Sequence, residues 1–301
     1  MIKRIWIYLK EMYPVIPRII LSILFFYSFY FTLIAPYSNN GFGISTSSIF
    51  GALTFFLFAL FLRISDEFKD YKTDVKLFPQ RPLPSGRILK KDLIVLNVIV
   101  LIIMIITNIL FVKAHLAFII MLGYGLLMFK YFFLGKYISK SLLLALITHN
   151  PIALIMNFYI ISIANAEYGI EIFSIKNLLL VIIFWVPLLA WELSRKVKSP
   201  ENENEYETYS MIFGYKIAAI LPALILVCGV VLTIFLYDVM LLNPLSISFI
   251  GANMLLYLIV TMRFLLKPNI KTSNLRPFAE VYSLVLLLII FANLLIQIGI
   301  K

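Results

Sequence analysis

The sequence predicts an all-α polytopic membrane protein with nine transmembrane helices, and three observations carry that prediction. Hydrophobic residues fill 62% of the 301 positions and charged residues only 14%, far from the balance of a soluble globular chain. The apolar residues gather into runs of about 20, the length a helix needs to cross the hydrocarbon core. The Lys and Arg residues fall almost entirely in alternate connections between those runs. The same composition excludes disordered, collagen-like and disulfide-stapled classes, and the single cysteine, Cys228, lies in an apolar run and leaves the redox compartment undetermined.

The runs lie at 17–36, 46–64, 93–112, 115–134, 141–163, 175–193, 217–237, 244–266 and 278–299. Lys3, Arg4 and Lys10 precede the first as they would a secretory signal, yet Tyr27, Phe29, Tyr30 and Phe31 lie inside it and no small-residue cleavage pattern follows, so it is read as a retained helix. The second continues directly into an acidic segment, and the third begins after a turn that Gly86 permits. Lys130 and Arg263 stand near the ends of the fourth and eighth, where their heads can snorkel to water. The fifth carries His149-Asn150-Pro151, the sixth contains Pro187 and ends on Glu192, the seventh holds Cys228, and Glu280 opens the ninth.

With the N-terminus placed in the cytoplasm, 23 of the 26 basic residues fall inside, leaving Lys113, Lys176 and Lys301 outside. The expectation is an N-terminus inside and a C-terminus outside. The net charge of +11 therefore records topology and is no nucleic-acid signal. Residues 1–301 are expected to form a single transmembrane domain whose chemistry lies in two cytoplasmic segments, 65–92 and 194–216. Of the 15 acids, 12 share the cytoplasmic side with those basic residues, all but Glu167, Glu171 and Asp238. Among ionisable residues only His149 sits well inside a span, which argues against an ion-coupled transporter.

In the first segment Asp66, Asp70 and Asp74 recur every four residues, with Glu67 beside them. On a helix each step of four turns by about 40°, so three carboxylates share one face. Like charges at that spacing repel by roughly 0.2–0.5 kcal/mol per pair, and a cation would relieve them. The plain alternative is a solvated helix end whose acids pair with Lys69, Lys72 and Lys76. Three prolines then stiffen the loop Pro79-Gln80-Arg81-Pro82-Leu83-Pro84-Ser85-Gly86, bringing Arg81 back past the acidic helix.

Asp66-Glu67-x-x-Asp70-x-x-x-Asp74 followed by Arg81-Pro-Leu-Pro-Ser-Gly86 resembles the first signature of the UbiA superfamily of intramembrane prenyltransferases. That signature reads Asn-Asp-x-x-Asp-x-x-x-Asp and then Arg-Pro-Leu-Pro-Ser-Gly, so Asp66 stands where the family has Asn, a departure that bears on metal number and geometry. Nine spans with the N-terminus inside match the family across the chain. Tyr131 followed five residues later by Lys136 is a second match. After the sixth span, Glu192 stands at the first acid of a second Asp-x-x-x-Asp signature, Thr208 to Gly214 resembles its closing stretch, and Lys196 occupies its second acid.

The resemblance implies Mg²⁺-dependent transfer of an isoprenyl group from a prenyl diphosphate to a lipophilic, typically aromatic, acceptor inside the membrane. It implies a prokaryotic cell membrane with the site toward the cytoplasm, and membrane lipids but no nucleic acid as partners. By matched position Glu67, Asp70, Asp74 and Glu192 are the metal ligands, with Asp70, Asp74 and Glu192 also catalytic groups, and His149 joins the catalytic groups from its place inside the fifth span. Arg81, Lys136, Arg195 and Lys196 are expected to contact diphosphate, and Asp66 and Asn150 the acceptor. Either Arg195 and Lys196 replace a metal at the second signature, or an acid from Glu201 to Glu207 substitutes. His149 and Asn150 either orient the acceptor and accept its proton or simply pack against a neighbouring helix. Of 46 aromatic residues, Phe55, Tyr124, Phe158 and Tyr257 are candidates to shield an allylic cation. Two other classes remain: a prenyl-lipid-binding protein that kept the fold and lost catalysis, and a different metal-dependent lipid transferase. The latter would carry Asp-Gly-x-x-Ala-Arg, which is absent.

Overall fold

The structure, a computed structural model, describes residues 1–38, 40–203 and 207–300. Among them all regular structure is helical, apart from one isolated bridge between Phe42 and Ile300. The helices are α1 (Ile2–Met12), α2 (Val15–Ile34), α3 (Thr46–Lys69), α4 (Tyr71–Leu77), α5 (Lys90–Phe111), α6 (His115–Phe129), α7 (Gly135–Ile138), α8 (Leu142–His149) and α9 (Pro151–Tyr168). They continue with α10 (Ile175–Ser194), α11 (Tyr209–Phe213), α12 (Tyr215–Phe235), α13 (Pro244–Leu266) and α14 (Arg276–Ile298).

Eight helical stretches among the described residues are long and apolar enough to cross a membrane, α8 and α9 counting as one. They match eight of the nine expected runs. The fourth run, expected over 115–134, gives a helix of only 15 residues that stops at Phe129, because the chain turns left-handed at Tyr131. The fifth bends where Pro151 opens α9 and Asn150 joins it to α8. The short α1, α4, α7 and α11 lie outside the apolar runs.

The chain divides into two compact units. The first comprises 1–27 and 44–135. There α3 starts from a reciprocal cap, Ser45 Oγ accepting from the Ser48 N–H at 2.9 Å and Ser48 Oγ from the Ser45 N–H at 3.1 Å. It packs against α5 through Asn108, whose Nδ2 donates both to Thr54 Oγ1 and to the Met104 carbonyl of its own helix, each at 2.8 Å, a polar tie between two apolar helices. Gly125 lets α6 approach the Phe58 and Phe61 rings of α3 closely. The outer face of α5 is bare, with Ile102 50% and Ile109 64% exposed, a surface suited to lipid and not to water.

The second unit comprises 28–43 and 136–301. Its helices are stitched by the same device: Asn157 Nδ2 donates to the Val181 carbonyl at 3.2 Å, Asn253 Nδ2 to the Tyr282 carbonyl at 3.0 Å, and Ser28 Oγ to the Leu287 carbonyl at 3.2 Å. α10 and α12 meet where Gly229 faces Val186, and a Cβ at 229 would come within 2.6 Å of Val186 Cγ1. Gly229→Val should therefore destabilise the protein by about 1–3 kcal/mol, seen as a lower melting temperature in detergent. Gly123→Val, where a Cβ meets nothing within 4 Å, should change it little.

Candidate functional site

α3 ends at Lys69, and the chain steps through Asp70 (φ −90°, ψ 1°) into α4. The step leaves the register intact: the Asp70 N–H donates to the Asp66 carbonyl at 2.9 Å and the Asp74 N–H to the Asp70 carbonyl at 2.8 Å. Asp66, Asp70 and Asp74 thus follow one another a turn apart on one side, as their spacing predicts. The cations are largely not those of a plain solvated helix end. Lys69 Nζ does reach Asp66 Oδ1 at 2.8 Å, but Arg63 Nη2 takes Glu67 Oε1 at 2.5 Å and Arg81 Nη1 takes both Asp74 oxygens at 2.7 and 2.8 Å. Lys72 and Lys76 are exposed.

Arg81 arrives as the proline loop requires. The Ser85 N–H returns to the Arg81 carbonyl at 3.0 Å, the Ile88 N–H to the Pro82 carbonyl at 3.1 Å, and Gly86 takes φ +75°, a backbone region cheap only for glycine. The guanidinium also lies 4.1 Å above the Phe78 ring, so its plane is held on two sides.

Glu67 is 1% and Asp74 4% exposed. Glu67 Oε1 has Arg63, whereas Oε2 is buried with no hydrogen-bond partner. An orphaned carboxylate oxygen in a poorly solvated place is costly unless something else meets it. Carboxylate oxygens suit Mg²⁺, and Glu67 Oε2 offers one. Among the described residues no three His, Cys, Asp or Glu side chains gather into a metal cage. Mg²⁺ habitually takes one or two carboxylates and completes its shell with water and phosphate oxygens. The donor set fits an ion that arrives with a phosphate, and not one caged by protein alone.

Asp70 has solvent-accessible surface, but protein atoms crowd its carboxyl. This crowding, and then the neighbouring Asp66 charge, raises its pKa above the ordinary carboxylate value. Its partner is Tyr131, whose hydroxyl bonds to it and is pushed up to about 12, by burial first and then by the Asp70 and Asp66 charges. Tyr131 gets there on a strained turn: Tyr131, Phe132 and Phe133 have φ of 49°, 52° and 60°. Lys69 Nζ lies 5.2 Å from the Tyr131 ring centroid.

In the second unit, Glu192 is held by Arg195 through Nε at 2.7 Å and Nη2 at 2.8 Å, so acid and base of the altered signature engage each other. The Lys196 carbonyl accepts from the Tyr209 N–H at 3.1 Å. Of the glutamate run, Glu203 accepts from Thr208 Oγ1 at 2.8 and 2.9 Å and Glu207 from the Leu142 N–H at 3.2 Å, while Glu205 lies outside the described residues. Lys136 is exposed on α7. Asn150 Oδ1 accepts from Trp185 Nε1 of α10 at 2.6 Å, whereas His149 Nδ1 lies 3.0 Å from Thr148 Oγ1 of its own helix. Of the four aromatics, Phe55 stacks on Phe25, Tyr124 meets Phe132 edge-on, Phe158 meets Phe173, and Tyr257 bonds Ser194 at 2.7 Å.

Sequence reasoning missed Arg63 as the partner of Glu67, although the four-residue spacing signals it. It also missed α1. Arg4 on α1 grips Asp92 through Nε at 2.6 Å and Nη2 at 2.9 Å, and a separation of 88 residues gives no local signal.

No family model matches the chain, and no curated protein matches it in sequence. A solved structure of a digeranylgeranylglyceryl phosphate synthase, a membrane protein, is similar over 97% of this chain and 99% of its own, with a TM-score of 0.62 and 17% sequence identity. The likeness establishes a shared fold along essentially the whole chain.

The raised Asp70 sets a pH dependence. A carboxyl whose folded-state pKa exceeds its unfolded value binds protons more readily in the folded protein, so stability falls as pH rises from the ordinary aspartate range through the folded value. Asp70→Asn keeps an acceptor for Tyr131 and removes the charge. In chelator-treated protein it should melt above wild type near neutral pH and show a flatter melting curve against pH. A variant melting at or below wild type throughout would contradict this.

Proposed function

We propose that the protein transfers an isoprenyl group from a prenyl diphosphate to a lipophilic acceptor within the membrane, with Mg²⁺ as cofactor and the reacting end toward the cytoplasm. The observation that carries this reading is the return of Arg81 onto Asp74 beside the buried, half-satisfied Glu67. Carboxylates for a cation and a guanidinium for phosphate stand together at the end of an apolar helix. The fold shared with a membrane synthase supports it, and so do the signature residues.

On this reading Glu67, Asp70 and Asp74 hold the cation and Arg81 turns from Asp74 toward the diphosphate, a planar fork suited to phosphate oxygens. The bound Mg²⁺ supplies charge to the departing diphosphate. The allylic C–O bond breaks with its electron pair going to diphosphate, a nucleophilic carbon or oxygen of the acceptor bonds the allylic carbon, and the acceptor loses its proton. Tyr131 fixes Asp70, and the apolar helices around the site exclude water that would quench the cation. Lys136, Arg195 and Lys196 as diphosphate contacts, Glu192 as a ligand, and His149, Asn150 and Asp66 toward the acceptor are proposals of the same reading that the argument from the first unit does not need. Aromatic acceptors are the first class to try, and the neighbour's name adds glyceryl phosphate lipids.

A second reading, a prenyl-lipid-binding protein without turnover, is favoured by the closed Glu192–Arg195 pair. The two are separated by adding labelled prenyl diphosphates and Mg²⁺ to membranes containing the protein, across a broad acceptor panel, beside calorimetric titration of the same diphosphates. Transfer that is absent in Asp70→Ala, while the variant still inserts and folds, is the expected outcome. Binding with no transfer to any acceptor establishes the second reading, and wild-type turnover in Asp70→Ala removes the proposed role of the acids.

A further inference from the structure

The N-terminal helix is tied to α3, to α5 and to the loop that carries Arg81, and nothing in the signature residues accounts for it. α1 is clamped within the first unit by Arg4 on Asp92, by Glu11 on Arg87, and by Tyr13, whose hydroxyl donates to the Phe56 carbonyl at 2.9 Å just past α1. Arg87 in turn donates to the Gln80 carbonyl at 2.5 Å, which ties α1 to the loop that carries Arg81. The side chain these clamps fix is Tyr8. It is 0% exposed and its hydroxyl is buried with no hydrogen-bond partner, as is Glu67 Oε2. Among the groups whose charge reaches the Tyr8 hydroxyl are Arg63, Glu67 and Asp66, with Tyr13 at the end of its own helix a fourth.

An unmet donor and an unmet acceptor in one buried neighbourhood each carry a desolvation cost of about 1–3 kcal/mol. Both are satisfied together by a group that accepts from the tyrosine and is bound by the carboxylate. A cation alone cannot accept from Tyr8, but water or a phosphate oxygen in its shell can. We infer that Tyr8 is a further binding residue of the acidic site, donating to the coordination shell of a divalent cation held by Glu67. The inference rests on the cation site proposed above and extends it to a helix outside both signatures.

The test uses Mn²⁺ as a paramagnetic probe, titrated into the full chain in detergent with and without a non-ionising thio analogue of a prenyl diphosphate, and followed by electron paramagnetic resonance. Tyr8→Phe keeps the ring and removes only the donor. It should weaken Mn²⁺ binding about three- to tenfold, the fold-change of a lost hydrogen bond, and leave the melting temperature of chelator-treated protein within a degree or so of wild type. Arg4→Gln, which removes one of the clamps on α1 without touching Glu67 or the aspartates beside it, should weaken binding in the same direction. Mn²⁺ bound by Tyr8→Phe as by wild type would overturn the inference alone, as would a variant that loses cation-free stability and keeps its affinity, since Tyr8 would then be a packing residue. A wild type that binds no Mn²⁺ in either condition would overturn it together with the cation site itself.

Discussion

Hydrocarbon offers no partner to a charge or to a bare backbone group, and the arrangement of this chain follows from that exclusion. Spans are helical, their few polar side chains bond to a neighbouring helix or back to a carbonyl of their own helix, and the ionisable residues collect at the ends. At the end of α3 this has a particular cost. A helix C-terminus is the negative end of its dipole, so Asp66, Glu67 and Asp70 stand where carboxylates are least welcome, at i,i+4 or adjacent positions. The three basic side chains pressed onto the segment, Arg63, Lys69 and Arg81, answer that excess of negative charge. They leave one oxygen of Glu67 unanswered.

A second expense is backbone strain. Three successive aromatic residues in the left-handed region cost on the order of 1–2 kcal/mol each. The return is local: Tyr131 reaches Asp70, Lys69 lies over its ring, and Phe132 meets Tyr124 at 5.2 Å. Strain of this kind persists where the surroundings over-determine it. Here it fixes the side chain next to an acid whose pKa is raised by the protein atoms crowding its carboxyl and by the neighbouring Asp66 charge.

What the sequence made legible was whatever is periodic or local. Runs of apolar residues foretold eight helices within a few residues, and the four-residue recurrence of Asp66, Asp70 and Asp74 foretold their shared face. The proline loop foretold the return of Arg81. The fourth run misled because apolarity continues through Phe132, Phe133 and Leu134 while the backbone reverses its hand, and composition is blind to the sign of φ. The contacts of Asn150 with Trp185 and of Arg4 with Asp92 were illegible for a different reason: each joins residues far apart in the chain, 35 and 88 positions respectively. α1 was passed over because eleven residues of mixed character before a span look like a charged flank and not like an element.

The Arg4–Asp92 clamp has a bearing on the order of events at synthesis. A nascent chain lengthens at about 5–20 residues per second, so Arg4 waits several seconds at least before its partner exists. During that interval the second apolar run and its acids are already made, and of its clamps α1 has only Tyr13 on the Phe56 carbonyl, and then Glu11 on Arg87, to hold it in place. The leading end of α1 is therefore fastened only after α2, α3 and α4 have been made, and a lesion at Asp92 would leave a fully synthesised, inserted bundle in which α1 stays unfastened at that end.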